Sequence, residues 1–290
     1  MKVQEILDKT TQYFKEKGFI TPRLDSELIL SEALNLSRIE LYLHHDRPFS
    51  HQELDRCRDL VRRRGLGEPV AYITGKKGFY KNDFFVKPGV LIPRPETESL
   101  VDETLNWSRQ VNKEAINIID LGSGSGCVGL SIVSEIPDSR LISVDVSMEA
   151  VETTRKNAEN LGLESRVRVL NKDVDHLCAE DLDFLEKKVD VVVSNPPYIA
   201  DESKDLEPFV KQYEPSLALF AGKDGLSCLK NWSQKAKEIL NPGGFVCFEI
   251  GFDQKESVER IFLELGGFKE FKVGRDLAGR DRWISALKEE

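Results

Sequence analysis

The stretch Asp120-Leu121-Gly122-Ser123-Gly124-Ser125-Gly126 decides the fold of this chain. Residues 116–120, with three isoleucines, predict a strand that leads into it, and a helix is predicted after the glycines. Glycines at such a turn allow positive φ values and let the backbone come close to a ligand. The stretch therefore predicts a strand–turn–helix unit of an α/β fold, with a ligand at the end of the strand.

Apolar runs alternate with helical patterns along the rest of the chain. Further strands are predicted at residues 141–146, 167–170, 189–194 and 245–250, and a terminal hairpin at 268–273 and 283–286. Alternation of strands and helices is typical of a mostly parallel, doubly wound sheet. In such a sheet ligands bind at the carboxyl ends of the strands.

The part of the chain before the glycine turn has a different character. Residues 1–69 show short amphipathic patterns, with capping boxes that begin at Ser37 and Ser50, and they predict a small helical bundle. Residues 70–95 hold aromatic residues separated by glycines, which predicts a β-hairpin linker. Residues 96–290 then form the α/β domain.

Acidic residues at the predicted strand ends indicate the kind of ligand. Asp145 lies about 20 residues beyond the glycine turn, where a carboxylate can accept the hydroxyls of a ribose. Asp173 ends the third strand, and Val174 beside it predicts a contact with an adenine ring. Residues 124–129 also match the dinucleotide fingerprint, so a nicotinamide-dependent dehydrogenase is an alternative. The acids Asp120 and Asp173 favour a cofactor with adenosine and a short zwitterionic tail, which is S-adenosylmethionine.

A second turn, Asn195-Pro196-Pro197-Tyr198, follows the predicted strand at residues 189–194. Two consecutive prolines stiffen the backbone and remove two N–H donors. The groups that remain are acceptors, namely the Asn195 side-chain oxygen and the carbonyls of Asn195 and Pro196, with the Tyr198 ring as a stacking face. Such a turn can hold a flat NH2 group. The alternative is a plain turn after a strand, which Asn-Pro also favours.

Composition bounds the class of protein. A chain of 290 residues, 40% hydrophobic and 31% charged, suits a globular protein with one large domain and a small one. Its net charge of −9 argues against a protein whose main ligand is a nucleic-acid backbone. Five scattered cysteines without a C-x-x-C pair predict free thiols in a reducing compartment and offer no zinc site. Neither a signal peptide nor a membrane span is predicted, so we expect a cytoplasmic protein.

The two turns together resemble the class I S-adenosylmethionine methyltransferases that modify planar nitrogen groups. Further segments resemble one family of that class, the glutamine methyltransferases of peptide-chain release factors. These segments are residues 68–75, 90–98, 214–219, 222–226 and 249–251. The resemblance covers nearly the whole chain. Residues 92–98 are much more specific than the Asn-Pro-Pro-Tyr turn, which DNA adenine and RNA guanine methyltransferases share.

The resemblance implies a Rossmann-like, mostly parallel seven-stranded sheet and S-adenosyl-L-methionine as the cofactor. It implies methyl transfer to the side-chain amide of the glutamine in the Gly-Gly-Gln motif of class 1 release factors, the proteins of translation termination. Catalytic roles are implied for Asn195, Pro196, Pro197 and Tyr198. Cofactor contacts are implied for Gly122, Ser123, Gly124, Ser125, Gly126, Asp145, Asp173, Val174 and Asn195. We expect no metal, no direct contact with nucleic acid and no membrane partner.

Two alternatives to this activity stay open. One is a methyltransferase that uses the same Asn195 turn on an exocyclic amino group of a nucleic-acid base. The other is a non-catalytic protein that binds the cofactor, although such a protein has no need of an acceptor for an amine.

Overall fold

The computed structural model describes residues 1–203, 206–276 and 278–290. Its helices are α1 (Val3–Glu16), α2 (Pro22–Leu34), α3 (Arg38–Leu43), α4 (His51–Gly65), α5 (Val70–Thr74), α6 (Glu98–Gln110), α7 (Cys127–Glu135), α8 (Met148–Asn160), α9 (Pro208–Tyr213), α10 (Ser227–Ile239) and α11 (Lys255–Leu265). Its strands are β1 (Lys76–Phe79), β2 (Asn82–Phe85), β3 (Asn117–Leu121), β4 (Arg140–Asp145), β5 (Val167–Asn171), β6 (Val191–Ser194), β7 (Phe245–Glu249), β8 (Phe268–Arg275) and β9 (Asp281–Lys288). Short 3-10 helices occupy Pro95–Thr97, Glu164–Arg166, Val174–His176, Ala179–Leu185 and Ser216–Ala218.

The chain divides into two compact units. The first consists of Met1–Lys76 and Pro208–Tyr213, and the second of Lys77–Glu207 and Glu214–Glu290. This division sets the first boundary a few residues beyond the predicted end of the helical domain at residue 69, and most of the predicted linker lies in the second unit.

The first unit is a bundle of short helices with its own apolar core. Both predicted capping boxes are formed, since the hydroxyls of Ser37 and Ser50 accept backbone N–H bonds at the starts of α3 and α4. Pro22 is the first residue of α2, where the missing N–H would have had no intrahelical partner. Phe14 of α1 and Leu30 of α2 are fully buried in the shared core.

The predicted hairpin linker is shorter than expected. β1 and β2 do form a two-stranded sheet, but Tyr72 and Ile73 lie in α5, so their assignment to a strand is wrong. The helix starts after Pro69 and ends at Gly75, which has φ 67° and caps it in the left-handed conformation. Tyr72 and Ile73 are buried. A helix of a single turn shows no periodicity, so its buried apolar pair is indistinguishable from part of a strand in the sequence.

The second unit is built on the predicted α/β sheet. Its described strands have the order β5-β4-β3-β6-β7-β9-β8. Pairing is parallel from β5 to β7, whereas β9 is antiparallel to both β7 and β8. Both faces are covered: Ile118 and Ile119, neighbours on β3, are fully buried in different hydrophobic clusters. The mostly parallel sheet and its antiparallel terminal hairpin confirm the predicted fold class.

The strand order reverses beside β3, with β4 on one side and β6 on the other. Leu121 at the end of β3 pairs with Ser194 at the end of β6, and the Ser194 hydroxyl donates to the Leu121 carbonyl over 2.7 Å. The glycine turn and the Asn195 turn therefore leave the sheet side by side, at the crevice where doubly wound sheets bind ligands. Among the described helices, none is long and apolar enough to cross a bilayer.

Candidate active site

A cavity of about 310 Å³ opens at the carboxyl ends of the parallel strands. The loops after β3, β4, β5 and β6 all contribute to its wall, together with residues 89–94 and part of α10. Its volume lies at the lower end of the range for small-molecule sites. All of its lining residues belong to the second unit.

The glycine turn forms one wall of the cavity. Gly122, Gly124 and Gly126 have φ values of 65°, 58° and 77°, which favour glycine. A Cβ atom on Gly122 would stand 2.6 Å from the Trp232 ring, so a side chain there is also excluded by space. A Cβ atom on Gly124 would have no neighbour within 4 Å. The backbone at Gly124 is therefore accessible from the cavity.

Asp145 ties the end of β4 to the glycine turn. Its two carboxylate oxygens accept the backbone N–H groups of Gly124 and Ser147, each over 2.9 Å. Burial raises the pKa of Asp145, and these hydrogen bonds oppose the shift. Each carboxylate oxygen can accept a second hydrogen bond. Asp145 lines the cavity, so it can bind hydroxyl groups while it holds the turn.

Asp120 is a buried acid at the base of the same cavity. It is 2% exposed, and its carboxylate accepts the backbone N–H of Gly129 at 3.1 Å. Burial raises its pKa to about 7, the Gly129 bond lowers it and the charge of Asp145 raises it further. A cation in the cavity would favour the ionised form of Asp120.

Asp173 and Val174 follow β5 and also line the cavity. The Asp173 carboxylate accepts the N–H of Asp175 and caps the 3-10 helix Val174–His176. Val174 is 4% exposed and belongs to the hydrophobic cluster on one face of the sheet. The pair thus offers an acid and an apolar surface side by side.

The Asn195 turn, which follows β6, also contributes to the wall of the cavity through Asn195 and Pro197. The NH2 group of Asn195 donates to Thr97 Oγ1 over 3.2 Å, and no described residue donates to Asn195 Oδ1. Thr97 in turn donates to Glu249 Oε2 over 2.6 Å. Tyr198 donates to the other oxygen of Glu249 over 3.0 Å. One buried carboxylate thus holds the turn through the Asn195 and Tyr198 side chains.

Glu249, the last residue of β7, is fully buried. Burial raises its pKa to about 7, against the Thr97 and Tyr198 hydrogen bonds and the nearby charge of Arg282. Burial and the charge of Glu249 raise the pKa of Tyr198 as well. Tyr198 therefore stays a neutral hydrogen-bond donor.

Comparison with known proteins gives two matching families. The family described as PrmC N-terminal domain matches residues 5–75, and the one described as methyltransferase small domain matches residues 103–217. A release factor glutamine methyltransferase of Rhodopirellula baltica is 36% identical over 99% of this chain and 96% of that protein. One of Chlorobaculum tepidum is 38% identical over 98% of this chain and 97% of that protein.

The chain belongs to the release factor glutamine methyltransferase family. This confirms the family that the two turns and the five segments indicated, and with it the expectation of a methyltransferase. Neither the dehydrogenase nor the nucleic-acid alternative is favoured. The catalytic domain of hMettl16, solved with the MAT2A 3′UTR hairpin 6, has a TM-score of 0.54 to this chain. It is 14% identical and covers 71% of this chain and 76% of its own, so it shows a shared fold only.

For a member of the release factor glutamine methyltransferase family, the cavity collects most of the residues expected at the site. Those that line it are Gly122, Ser123, Gly124, Ser125, Asp145, Asp173, Val174, Asn195 and Pro197. Gly126, Pro196 and Tyr198 are not among the described residues that line it. Pro196 is buried, and the Tyr198 hydroxyl is directed to Glu249. The stacking role expected of the Tyr198 ring stays a prediction.

Several residues at the site were not singled out from the sequence. Asn231 and Trp232 of α10 line the cavity, and nothing in their spacing relates them to the glycine turn. Arg94 and Thr97, by contrast, lie in the family-specific segment 92–98, which pointed to either a role near the cofactor or a plain linker. Both line the cavity, and Arg94 pairs with the buried Glu214 over 2.5 Å. Among the described residues, no cluster of three or more His, Cys, Asp or Glu side chains could hold a metal.

Proposed function

We propose that this protein transfers a methyl group from S-adenosyl-L-methionine to the side-chain amide nitrogen of a glutamine in class 1 release factors. The glutamine is the one in the Gly-Gly-Gln motif. Family membership supports the reaction and the substrate. The single structural observation that carries the assignment is the Asn195 amide, whose NH2 group is held by Thr97 while Asn195 itself lines the cavity.

The residues of the cavity fit S-adenosylmethionine. Four acids, Asp120, Asp145, Asp173 and Asp175, line it and complement a cofactor with positive charge and ribose hydroxyls. The open space over Gly124 leaves room for a chain of atoms along the backbone. We assign cofactor contacts to the Gly122–Gly126 turn, Asp145, the pair Asp173 and Val174, and Asn195. When bound, the cofactor supplies a methyl group on a sulfonium, which a nitrogen nucleophile can take.

The task of this chain is to make a carboxamide nitrogen attack. That nitrogen is a poor nucleophile because its lone pair is delocalised into the carbonyl. Asn195, which lines the cavity, accepts one N–H bond of the substrate amide through Oδ1. The second N–H bond is assigned to the carbonyl of the buried Pro196, as the family resemblance implies. As the nitrogen gains positive charge in the transition state, these acceptors stabilise it more than in the ground state. They also direct the nitrogen toward the methyl group.

The turn itself makes these acceptors rigid. Pro196 and Pro197 fix two φ angles, and neither can donate a competing hydrogen bond. The new N–C bond replaces the bond from the methyl carbon to sulfur, whose electrons stay on the sulfur. The amide nitrogen then releases one proton to water, so no basic side chain is needed before transfer.

Mass spectrometry of a release factor incubated with this protein and S-adenosylmethionine tests the proposal. We expect one added methyl group on the peptide that contains Gly-Gly-Gln, and none when the glutamine of that motif is replaced by alanine. Parallel reactions with DNA and RNA and a radiolabelled methyl donor test the other acceptor class. A methyl group found only on nucleic acid, or on no acceptor at all, would contradict the proposal. We place the reaction in the cytoplasm, with release factors as the protein partner.

A further inference from the structure

The acceptor turn is backed by a chain of hydrogen bonds that begins at a buried carboxylate. Glu249 accepts from the Thr97 hydroxyl at 2.6 Å, and Thr97 accepts from the Asn195 amide at 3.2 Å. Thr97 is 1% exposed and Glu249 is fully buried. Thr97 lies just before α6 and Glu249 at the end of β7. The chain of hydrogen bonds therefore connects two elements and ends at Asn195, which lines the cavity.

Burial of the Glu249 carboxylate costs free energy unless hydrogen bonds replace the water that it loses. A carboxylate transferred from water to a protein interior loses its hydration, and hydrogen bonds must replace it. No described cation forms an ion pair with Glu249, and the nearby Arg282 is paired with Asp276 at 3.0 Å. Among the described residues, the hydroxyls of Thr97 and Tyr198 donate to it. Thr97 also accepts a hydrogen bond from Asn195, and Tyr198 is part of the Asn195 turn.

In its ionised form, Glu249 fixes the direction of the hydrogen bonds in this chain. An ionised carboxylate only accepts, so Thr97 then donates its single hydroxyl proton to Glu249, as the 2.6 Å contact shows. The Thr97 oxygen then faces Asn195 only as an acceptor. The NH2 end of Asn195 must therefore turn to Thr97, which leaves Oδ1 for the cavity. The two ends of an amide are nearly equal in shape. Without this constraint, the NH2 end of Asn195 could therefore face the substrate instead.

We propose that Glu249 and Thr97 are positioning residues for methyl transfer, which select the acceptor end of the Asn195 amide for the substrate. This inference rests on the proposed function, because an acceptor is needed only where the substrate presents N–H groups. Neither residue has to touch the substrate amide for this role. They act through Asn195.

Tyr198, at the other end of the Asn195 turn, is held by Glu249 and by the segment that follows β7. Tyr198 donates from its hydroxyl to Glu249, and its backbone carbonyl accepts from Gln254 Nε2 over 2.9 Å. Gln254 is itself fixed, since its Oε1 accepts the N–H of Gly251 over 2.9 Å. Glu249, Gly251 and Gln254 thus clamp Tyr198 while Thr97 clamps Asn195. The segment after β7 thereby supports the turn at both ends.

Steady-state kinetics of Thr97→Val, Thr97→Ser and Thr104→Val test the inference with release factor and S-adenosylmethionine. Valine keeps the shape of threonine and removes the hydroxyl. We expect kcat of Thr97→Val to fall roughly 10- to 100-fold, because the acceptor is no longer held in place. The KM values for both substrates should stay within about twofold, since binding in the ground state is little changed. Thr97→Ser retains the hydroxyl and should recover most of the rate.

Thr104→Val is the matched control. Thr104 lies in α6, is fully buried, and its hydroxyl has no hydrogen-bond partner among the described residues. The chemical change is the same as at Thr97 but breaks no hydrogen bond, so this variant measures the effect of replacing a buried hydroxyl by a methyl group alone. We expect the kcat of Thr104→Val to match that of the unmodified protein. Equal kcat values for Thr97→Val and the unmodified protein would overturn the inference.

A second readout does not depend on turnover. The side-chain NH2 signals of Asn195 in a ¹H–¹⁵N spectrum are assigned by their loss in Asn195→Ala. We expect these signals to shift and to exchange faster with water in Thr97→Val and in Glu249→Gln, but not in Thr104→Val. Unchanged signals in both variants would refute the hydrogen-bond chain. If the unmodified protein methylates no release factor, the proposed function fails, and the NMR result still decides whether Thr97 and Glu249 orient Asn195.

Discussion

At the scale of single residues, the proposed methyl transfer depends on Asn195. Its NH2 group has a partner in Thr97, and its oxygen is the part of the side chain left for a ligand. We expect Asn195→Ala to lower kcat on the order of 10²-fold, as removal of one electrostatic contact does in other enzymes. The rate of methyl transfer to a release factor measures this change in kcat.

The control for this change is Asn160→Ala. Asn160 is the exposed last residue of α8, so its amide supports neither the cavity nor the core. Both variants should unfold at the temperature of the unmodified protein. Full activity of Asn195→Ala would show that the turn does not act on the substrate.

In the proposed function, Asp145 links the cofactor to the backbone of the glycine turn. Its carboxylate already accepts from Gly124 and Ser147, so Asp145→Ala removes a ligand for ribose and also leaves two N–H groups without an acceptor. We expect S-adenosylmethionine binding to weaken by about 1–3 kcal/mol, the usual cost of unpaired buried groups. Calorimetric titration measures the change. An affinity equal to that of the unmodified protein would remove Asp145 from the cofactor site.

At the scale of elements, the strands were largely predictable, because buried parallel strands are continuous apolar runs. The run at residues 189–194 became β6 (Val191–Ser194), and the acids and the asparagine that follow such runs meet at one sheet edge. The short helix α5 was not predictable, since Tyr72 and Ile73 show no helical period within five residues. Local patterns determine long elements well and single turns poorly.

The segment before α10 packs directly against the Asn195 turn. A Cβ atom on Gly225, which has φ 72°, would stand 2.3 Å from the Tyr198 carbonyl oxygen. We expect Gly225→Ala to displace that carbonyl and to lower both stability and kcat. Gly243 has φ 71° with no atom within 4 Å of such a Cβ, so Gly243→Ala carries only the backbone cost of about 1–2 kcal/mol.

The two alanine variants are compared by chemical denaturation and by methyl transfer. Gly225→Ala should lose more unfolding free energy than Gly243→Ala and should alone lose activity. Equal losses of stability, with activity retained in both, would show that the turn tolerates movement at Tyr198.

At the scale of the whole molecule, contacts between distant segments were beyond prediction. Thr97 and Glu249 bond across 152 residues, and Asn195 and Thr97 across 98. Each residue lies in a segment that the family resemblance marked, but spacing gives no reason for them to meet. The fold class and nine of the lining residues could be inferred because they follow from strand ends. The supporting hydrogen bonds depend on how the loops pack over the sheet, which one sequence does not specify.

Burial of acids also sets how stability depends on pH. Asp120 and Glu249 have pKa values raised to about 7, chiefly by burial, from ordinary values near 4. Asp120 faces the N–H of Gly129 and the charge of Asp145. Glu249 faces the hydroxyls of Thr97 and Tyr198 and the charges of Arg282 and Glu96.

Between the ordinary and the raised pKa, the folded protein binds protons that the unfolded chain has lost. The stability contributed by these two groups is therefore complete below the ordinary pKa and falls as pH rises to about 7.

Glu249→Gln isolates one of these contributions. Glutamine cannot titrate, so the decline of unfolding free energy between about pH 5 and about pH 7 should be smaller in this variant, by at most about 1.4 kcal/mol per pH unit. Urea denaturation at several pH values measures the slope. Glu264→Gln makes the same chemical change at an exposed position of α11 and should leave the slope of the unmodified protein. If Glu249→Gln and Glu264→Gln give the same slope, Glu249 is already ionised across this range. The carboxylate that orients Asn195 would then be charged in the folded protein even in mild acid.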